Sequence, residues 1–247
     1  MRKKESLHDL LVHDLGGPIS IINSDLTNLL FKEERYGKLT EEQKKVLKRT
    51  LRNAKKAQYL LSEMVEALKS EEGRFDGSYF SVKDAIKEAL IEVLDLQLPE
   101  LAERLYLCQD DENFISELQN ACIFVTIEGR YLNEDFFHDR TKVLQIMRNL
   151  FSNALKYRRK NVVINVFGDR DLYIQVEDDG PGITQEKKEC IFKRFAHMGL
   201  KKDGNVEGLG FGLSCVKVIL ERARGDIQIH SEEEKGTKFI VRIPPLK

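Results

Sequence analysis

The sequence predicts two parts of different fold class, an all-α helical hairpin over residues 1–70 and an α+β sandwich over residues 79–247. Three observations lead to this prediction. Apolar residues recur every three or four positions in the first part. The second part instead combines helical stretches with strands in which apolar and polar residues alternate. Glycines and charged side chains in residues 71–78 indicate a short linker between the two parts.

The first part contains two long amphipathic helices separated by a polar connection over residues 32–39. Gly37 is a typical turn residue in that connection, and Thr40 with Gln43 matches a capping box that opens the second helix. The apolar stripes consist of Leu7, Leu11, Leu15, Ile19, Ile22, Leu26 and Leu29, and of Leu47, Leu51, Ala54, Ala57, Leu61, Met64 and Leu68. Two helices cannot enclose such stripes alone, so we expect a homodimer in which two hairpins form a four-helix bundle. The alternative is a hairpin that packs on the rest of its own chain.

The second part is predicted from two kinds of pattern. Helical periodicity covers residues 82–96 and 141–157, whereas residues 98–133 follow no clear pattern. Alternating strands occur in two hairpins, over residues 162–166 with 172–176 and over residues 225–231 with 237–243. Helices beside a largely antiparallel sheet are typical of an α+β sandwich.

Composition excludes several classes of protein. Hydrophobic residues make up 41% and charged residues 33% of the 247-residue chain, and the formal net charge is -1. This balance argues against electrostatic attraction to nucleic acid or to an anionic membrane. Apolar stretches such as residues 122–127 are too short to span a bilayer, and no signal-peptide core follows the N-terminus. Because the four cysteines form no C-x-x-C pair, we expect reduced thiols and a cytoplasmic protein.

The first predicted helix is interrupted around His13. Gly16, Gly17 and Pro18 follow it, although each Gly costs roughly 1 kcal/mol and an interior Pro about 3 kcal/mol relative to Ala in a helix. Such a violation inside a strong pattern is typical of a functional site. Pro18 cannot donate a hydrogen bond to the Asp14 carbonyl and should loosen this turn. An outward-facing His13 could act as a nucleophile with Asp14 as its proton acceptor, the alternative being an ordinary surface histidine beside an acid.

Two segments of the second part suit a nucleotide. Asn149, Asn153 and Lys156 fall on one face of a helix, where amide oxygens and an ammonium suit a magnesium–triphosphate. Asp178, held by a Gly-Pro-Gly turn at the end of a strand, can accept a hydrogen bond from an adenine amino group. Each segment also has a plainer interpretation, a solvated helix face and a strand-ending turn respectively.

Two further segments suit phosphate. Arg194, in the turn over residues 191–195, can reach phosphate, whereas core packing is favoured for the phenylalanines of that turn. Residues 208–213 place three glycines at the start of a helix, where free N–H groups bind phosphate. A polar stretch rather than a strand precedes these glycines and no G-K-[ST] follows, so neither a Rossmann fingerprint nor a Walker loop is predicted. Residues 196–207 are predicted to form a mobile lid over the nucleotide.

In this order the segments resemble the sensor histidine kinases of two-component systems, over nearly the whole chain. The family's five boxes are matched by residues 13–18 (H), 149–157 (N), 178–182 (G1), 191–195 (F) and 208–213 (G2), and residues 236–239 match its closing strand. Five boxes in order at fitting separations are far more specific than any one of them. The resemblance implies a phosphotransfer hairpin followed by an ATP-binding domain of the Bergerat (GHKL) type.

The resemblance also implies a role for each matching residue. His13 would be the phosphoacceptor and Asp14 its assisting acid/base, and ATP with Mg²⁺ would be the phosphoryl donor. The phosphoryl group would then pass to an aspartate of a response regulator. Asn153 would bind Mg²⁺, and the other nucleotide contacts would come from Asn149, Lys156, Tyr157, Asp178, Gly180, Gly182, Arg194, Gly208, Gly210, Phe211, Gly212 and Leu213.

The sequence departs from the family pattern in some places, and two alternative functions remain open. Gly17 stands where the family has a Thr or Asn that helps to hold water, so weak phosphatase activity is predicted. Only twelve residues precede His13 and no sensor or receiver segment is evident, which indicates an excised core or a stimulus that arrives through another protein. A kinase-inactive phosphotransfer or scaffold protein would have degraded nucleotide boxes. A conformational-clamp ATPase of the same fold would have no use for the His13 segment.

Overall fold

The computed structural model of this protein describes residues 14–69, 75–188, 191–192 and 212–246. It contains a helical hairpin followed by an α+β sandwich, which confirms the predicted fold class. Within the described ranges, no helix is long and apolar enough to cross a bilayer.

The hairpin is formed by α1 (Gly16–Phe31), a short α2 (Glu33–Tyr36) and α3 (Glu41–Lys69). Before α1, Asp14 and Leu15 adopt a wider π-type turn, as the missing N–H of Pro18 predicts. The predicted capping box opens α3. The Thr40 N–H donates to Gln43 Oε1 at 2.8 Å, and the Gln43 N–H donates to Thr40 Oγ1 at 3.2 Å.

Much of the apolar surface of α1 is not covered within the described part of the chain. Ile21, Ile22 and Phe31 are 63%, 47% and 74% exposed. The other helix, α3, contacts the sandwich through an ion pair between Lys55 and Asp95, with 2.5 Å between Nζ and Oδ2. The hairpin therefore touches the rest of its own chain on one side and leaves apolar side chains in solvent on another.

The sandwich contains a five-stranded sheet in the order β2-β4-β5-β7-β6. Its strands are β2 (Ile123–Ile127), β4 (Val162–Phe167), β5 (Leu172–Asp178), β6 (Asp226–Glu232) and β7 (Gly236–Ile243). Only the β2–β4 pair is parallel. A separate antiparallel pair joins β1 (Ser78–Phe80) to β3 (Phe136–His138). The antiparallel pairs β4–β5 and β6–β7 confirm the two predicted strand hairpins.

Helices cover one face of the large sheet. They are α4 (Val82–Gln97), α5 (Pro99–Leu107), α6 (Asp111–Asn120), α7 (Arg140–Tyr157), α8 (Gln185–Lys188) and α9 (Gly212–Arg222). The central strands alternate strictly in burial, so that Val162, Ile164 and Val166 of β4 point into the core while their neighbours do not. The core side chains come from α4, α5, α6, α7, α9, the β1–β3 pair and the buried face of the large sheet. The stretch from residue 98 to 133, without a clear pattern in the sequence, forms α5, α6, β2 and a short 3-10 turn.

Candidate nucleotide-binding site

The polar face of α7 begins in the core and ends in solvent. Asn149 is 5% exposed, and its side-chain nitrogen donates to the Gln145 carbonyl at 2.9 Å. Asn153, one turn later, is half-buried, and Lys156 and Tyr157 end the helix exposed. Lys156 Nζ lies 3.2 Å from Tyr157 Oη and 4.8 Å from the centroid of its ring. The helix thus presents an amide and then a cation along one stripe, as the spacing predicts.

Asp178, the last residue of β5, is buried, with 6% of its surface exposed. Its Oδ1 accepts a hydrogen bond from the Gly180 N–H at 2.9 Å. Burial raises the pKa of this carboxyl from 3.8 to about 6, although hydrogen bonds from the backbone of Gly180 and Thr237 oppose the shift. A buried carboxylate with spare acceptor capacity suits an amino group such as that of adenine.

The turn after Asp178 packs so closely on its neighbours that two positions require glycine. A Cβ at Gly180 would lie 2.3 Å from the Tyr157 carbonyl oxygen. Gly182 has a φ of +72°, and a Cβ there would lie 2.0 Å from the Glu232 carbonyl oxygen. The turn therefore brings together the end of α7, the end of β5 and the β6–β7 hairpin.

Asp179, for which no role was predicted, binds the turn between α7 and β4 through its carboxylate. Oδ1 accepts the N–H groups of Arg159 and Lys160, and Oδ2 accepts the N–H and the side-chain Nδ2 of Asn161, all at 2.9 Å. Burial opposes ionisation, but these hydrogen bonds outweigh it and lower the pKa of Asp179. The only sequence signal was the presence of two consecutive acids before the glycine.

A second overlooked group supports the same turn from the β6–β7 side. Ser231 is buried, and its hydroxyl accepts the Ile183 N–H, donates to the Gly236 carbonyl and lies 3.1 Å from Thr237 Oγ1. Thr237 is also buried, directly opposite Asp178 in the β5–β7 pair. Nothing in the strand pattern distinguished Ser231 from any other small residue.

The glycine-rich segment is described only where it enters α9. Gly212 is the first residue of α9 and Leu213 is buried behind it. Gln145 of α7 donates through Nε2 to Cys215 Sγ of α9 at 3.1 Å, which ties the two helices together. Phe192 packs against the core, in keeping with the favoured interpretation of that turn.

Several predicted site residues lie outside the described residues. They are His13, Arg194, Gly208, Gly210 and Phe211, together with the lid over residues 196–207. Their predicted roles stay predictions. Asp14, the neighbour of His13, is exposed in the wide turn before α1.

Comparison with known proteins relates most of the sandwich to one family of ATPases. Residues 138–247 match the family model described as histidine kinase-, DNA gyrase B- and HSP90-like ATPase. The sensor protein CiaH of Streptococcus pneumoniae is 24% identical over 246 residues, which cover 98% of this chain and 50% of CiaH. The adaptive-response sensory kinase SasA of Synechocystis sp. is 25% identical over 252 residues, covering 98% of this chain and 59% of SasA. The chain thus spans about half the length of these curated relatives.

Solved structures share the fold. The histidine kinase AdeS of Acinetobacter baumannii matches with a TM-score of 0.55 and 21% identity, over 95% of this chain and 98% of the AdeS chain. Full-length ShkA in complex with AMPPNP matches with a TM-score of 0.57 and 18% identity, over 94% of this chain and 45% of ShkA. Residues 138–247 thus match an ATPase domain of the GHKL type, and over nearly its whole length the chain is similar to sensor histidine kinases.

Proposed function

We propose that this chain uses ATP to phosphorylate His13 and then transfers the phosphoryl group to an aspartate of a response regulator. The observation that supports this most directly is the buried Asp178 carboxyl beside Gly180, packed against the end of the asparagine-bearing helix α7. Residues 1–70 would serve dimerisation and phosphotransfer, residues 71–78 would link, and residues 79–247 would bind ATP.

The nucleotide would lie between α7, the Asp178 turn and the start of α9. Asp178 would accept a hydrogen bond from the adenine amino group, and Gly180 and Gly182 would shape this side of the site by letting the turn pack on the Tyr157 and Glu232 carbonyls. Asn149, Asn153, Lys156 and Tyr157 would face the phosphates from α7. The phosphate contacts from the other side would come from Arg194, Gly208, Gly210, Phe211, Gly212 and Leu213. The AMPPNP bound to ShkA supports a nucleotide site in this fold.

The residues of α7 fit a magnesium ion that arrives with the nucleotide. No group of three His, Cys, Asp or Glu side chains in the described ranges could hold a metal ion by itself. Magnesium commonly keeps few protein ligands and completes its octahedron with phosphate oxygens and water. The half-buried Asn153 would supply one such ligand, supported by Asn149. When bound, the ion would neutralise phosphate charge.

Phosphorylation would proceed by in-line displacement at the γ-phosphorus. A neutral ring nitrogen of His13 would form the N–P bond while the bond to the β–γ bridging oxygen breaks and ADP leaves. Asp14 would accept the proton from the other ring nitrogen, so the phosphorylated ring ends neutral. In the second step, a carboxylate oxygen of the regulator's aspartate would form the bond to phosphorus while the N–P bond breaks, and Asp14 would return its proton to the ring so that His13 leaves as a neutral imidazole.

A second copy of the chain would complete the hairpin. The exposure of Ile21, Ile22 and Phe31 on α1 supports this, because burying them in a four-helix bundle removes apolar surface from water. We place the reaction in the cytoplasm. It consumes ATP, and Cys108, Cys122 and Cys215 form no disulfide among the described residues, which suits a reducing compartment.

One assay tests the proposed activity against its alternatives. The chain is incubated with Mg²⁺ and γ-labelled ATP, and His13→Gln is compared with the matched control His8→Gln. Acid-labile, alkali-stable label in the wild type and the control, but not in His13→Gln, is the expected result. Nucleotide binding without label would instead favour a kinase-inactive scaffold. Steady ATP hydrolysis unchanged in His13→Gln would favour a clamp ATPase.

A further inference from the structure

The geometry points to Asp179 as a positioning residue that sets the separation between the adenine-reading and phosphate-binding sides of the nucleotide site. This inference rests on the proposed function, because it concerns the same site. The Asp179 carboxylate is bound by the chain itself, because all four of its side-chain hydrogen bonds go to residues 159–161.

The hydrogen bonds form a closed set around one carboxylate. Three successive backbone N–H groups point at its two oxygens, and Asn161 adds a side-chain N–H. The Asp179 N–H completes the link by donating to the Asn161 carbonyl at 3.4 Å. Such converging N–H groups are typical of an anion-binding turn, here occupied by a side chain of the protein itself.

Both partners of this link are one or two residues from nucleotide-facing groups. On one side, α7 ends at Tyr157, directly before the turn over residues 158–161. On the other side, Asp178 immediately precedes Asp179. Between them Gly180 leaves no room for a Cβ against the Tyr157 carbonyl. A shift of the α7–β4 turn relative to β5 would therefore change the distance from Asp178 to Lys156 and Tyr157.

The negative charge is essential to the link. The hydrogen bonds from residues 159–161 lower the pKa of Asp179 despite its partial burial, so the group is ionised at neutral pH. An asparagine of the same shape offers one acceptor oxygen, and its NH₂ group would face N–H donors. Asp179→Asn therefore weakens the link while it preserves side-chain volume.

The matched control is Asp171→Asn. Asp171 lies just before the opposite end of β5, and its carboxylate accepts a hydrogen bond from Arg242 at 2.9 Å. This variant also removes one half-buried carboxylate that is hydrogen-bonded to the fold, but far along the strand from Asp178. Asn161→Ala is the milder second variant, because it deletes only one of the four side-chain hydrogen bonds.

The experiment measures dissociation constants of MgATP and of adenosine by calorimetry for the full chain and each variant. Adenosine would contact only the adenine-reading side of the site, so its affinity should not depend on the separation of the two sides. MgATP would contact both the adenine-reading and the phosphate-binding side, so its affinity should depend on that separation. We expect Asp179→Asn to weaken MgATP binding about tenfold and adenosine binding less than twofold. Asn161→Ala should show the same selectivity with a smaller factor, and Asp171→Asn should match the wild type for both ligands.

Equal losses for MgATP and adenosine in Asp179→Asn and Asn161→Ala would overturn the inference, since they indicate general damage to the domain. Wild-type affinities in both folded variants would overturn it as well. If Asp179→Asn fails to fold, Asn161→Ala provides the test through the same comparison, the loss of MgATP affinity relative to the loss of adenosine affinity. If the wild type binds neither MgATP nor adenosine, the proposed function itself is refuted. If the wild type and the variants bind both ligands equally well, only the role of Asp179 is refuted.

Discussion

Replacing Asp178 by Asn should make the unliganded protein more stable while it removes nucleotide binding. Burial raises the pKa of this carboxyl from 3.8 to about 6, so the folded protein holds an unfavourable charge at neutral pH. One pKa unit corresponds to about 1.4 kcal/mol, which gives an upper limit of about 3 kcal/mol for the two-unit shift. Partial solvation of the carboxylate screens part of this energy, and we expect Asp178→Asn to be more stable than the wild type by about 1–3 kcal/mol at pH 7.5.

The gain should depend on pH in a defined direction. A raised carboxyl pKa means that the folded state binds a proton more tightly than the unfolded chain. The contribution of the protonated Asp178 carboxyl to the free energy of unfolding is therefore complete below pH 3.8 and is lost as the pH rises through about 6. The stability difference between Asp178→Asn and the wild type should therefore be near zero at pH 3.8, grow up to about pH 6, and stay constant above it.

The stability of the wild type and of Asp178→Asn is measured at several pH values by urea unfolding followed by circular dichroism. The ATP affinity of both proteins is measured separately, without urea, at the same pH values. Asp178→Asn should lose ATP binding, since its side-chain nitrogen would face the adenine amino group if its oxygen accepts the Gly180 N–H. In the wild type, ATP affinity should fall as the pH drops below about 6. A stability gain of equal size at pH 4 and pH 7.5 would refute the electrostatic reasoning, and wild-type ATP affinity in Asp178→Asn would refute the assigned role.

Three further predictions concern other parts of the chain. Gly182→Ala should destabilise the protein by roughly 1–3 kcal/mol, because the residue has a positive φ and its Cβ would meet the Glu232 carbonyl; an unchanged urea midpoint would contradict this. Burial lowers the pKa of His138, so its contribution to stability is complete above about pH 6.5 and falls at lower pH, where only the unfolded chain takes up the proton. His138→Phe, which keeps an aromatic ring beside Phe136, should remove this acid sensitivity in urea unfolding at pH 5.5 and 7.5. Gly17→Thr should fold normally, because a Cβ added there meets no atom within 4 Å beyond its chain neighbours and the adjacent helix backbone. The variant should raise dephosphorylation of the phosphorylated regulator above a weak wild-type rate, and strong activity in the wild type would show that Gly17 is not limiting.

The elements with long, regular patterns were predictable from local physics. The four strands of the two hairpins alternate in burial because successive side chains of a strand point to opposite faces. The capping box of Thr40 and Gln43 depends only on residues three apart, so its chemistry could be predicted without the fold. In contrast, α5 and α6 are only nine and ten residues long, too short for a periodic pattern to stand out from the surrounding chain.

Apolar spacing and a strand-ending Asp-Asp-Gly are local features, so the types of the main elements and the place of Asp178 at the end of a strand were predictable from the residues alone. The contacts of these groups, in contrast, depend on how distant segments come together in the fold. Asp179 meets residues 159–161, eighteen to twenty positions away, and Ser231 reaches Ile183 across 48 positions. Such hydrogen bonds depend on how β4, β5 and the β6–β7 hairpin pair in the sheet. The same pairing decides that a glycine at position 180 faces a carbonyl of α7, a contact that spacing along the chain does not encode.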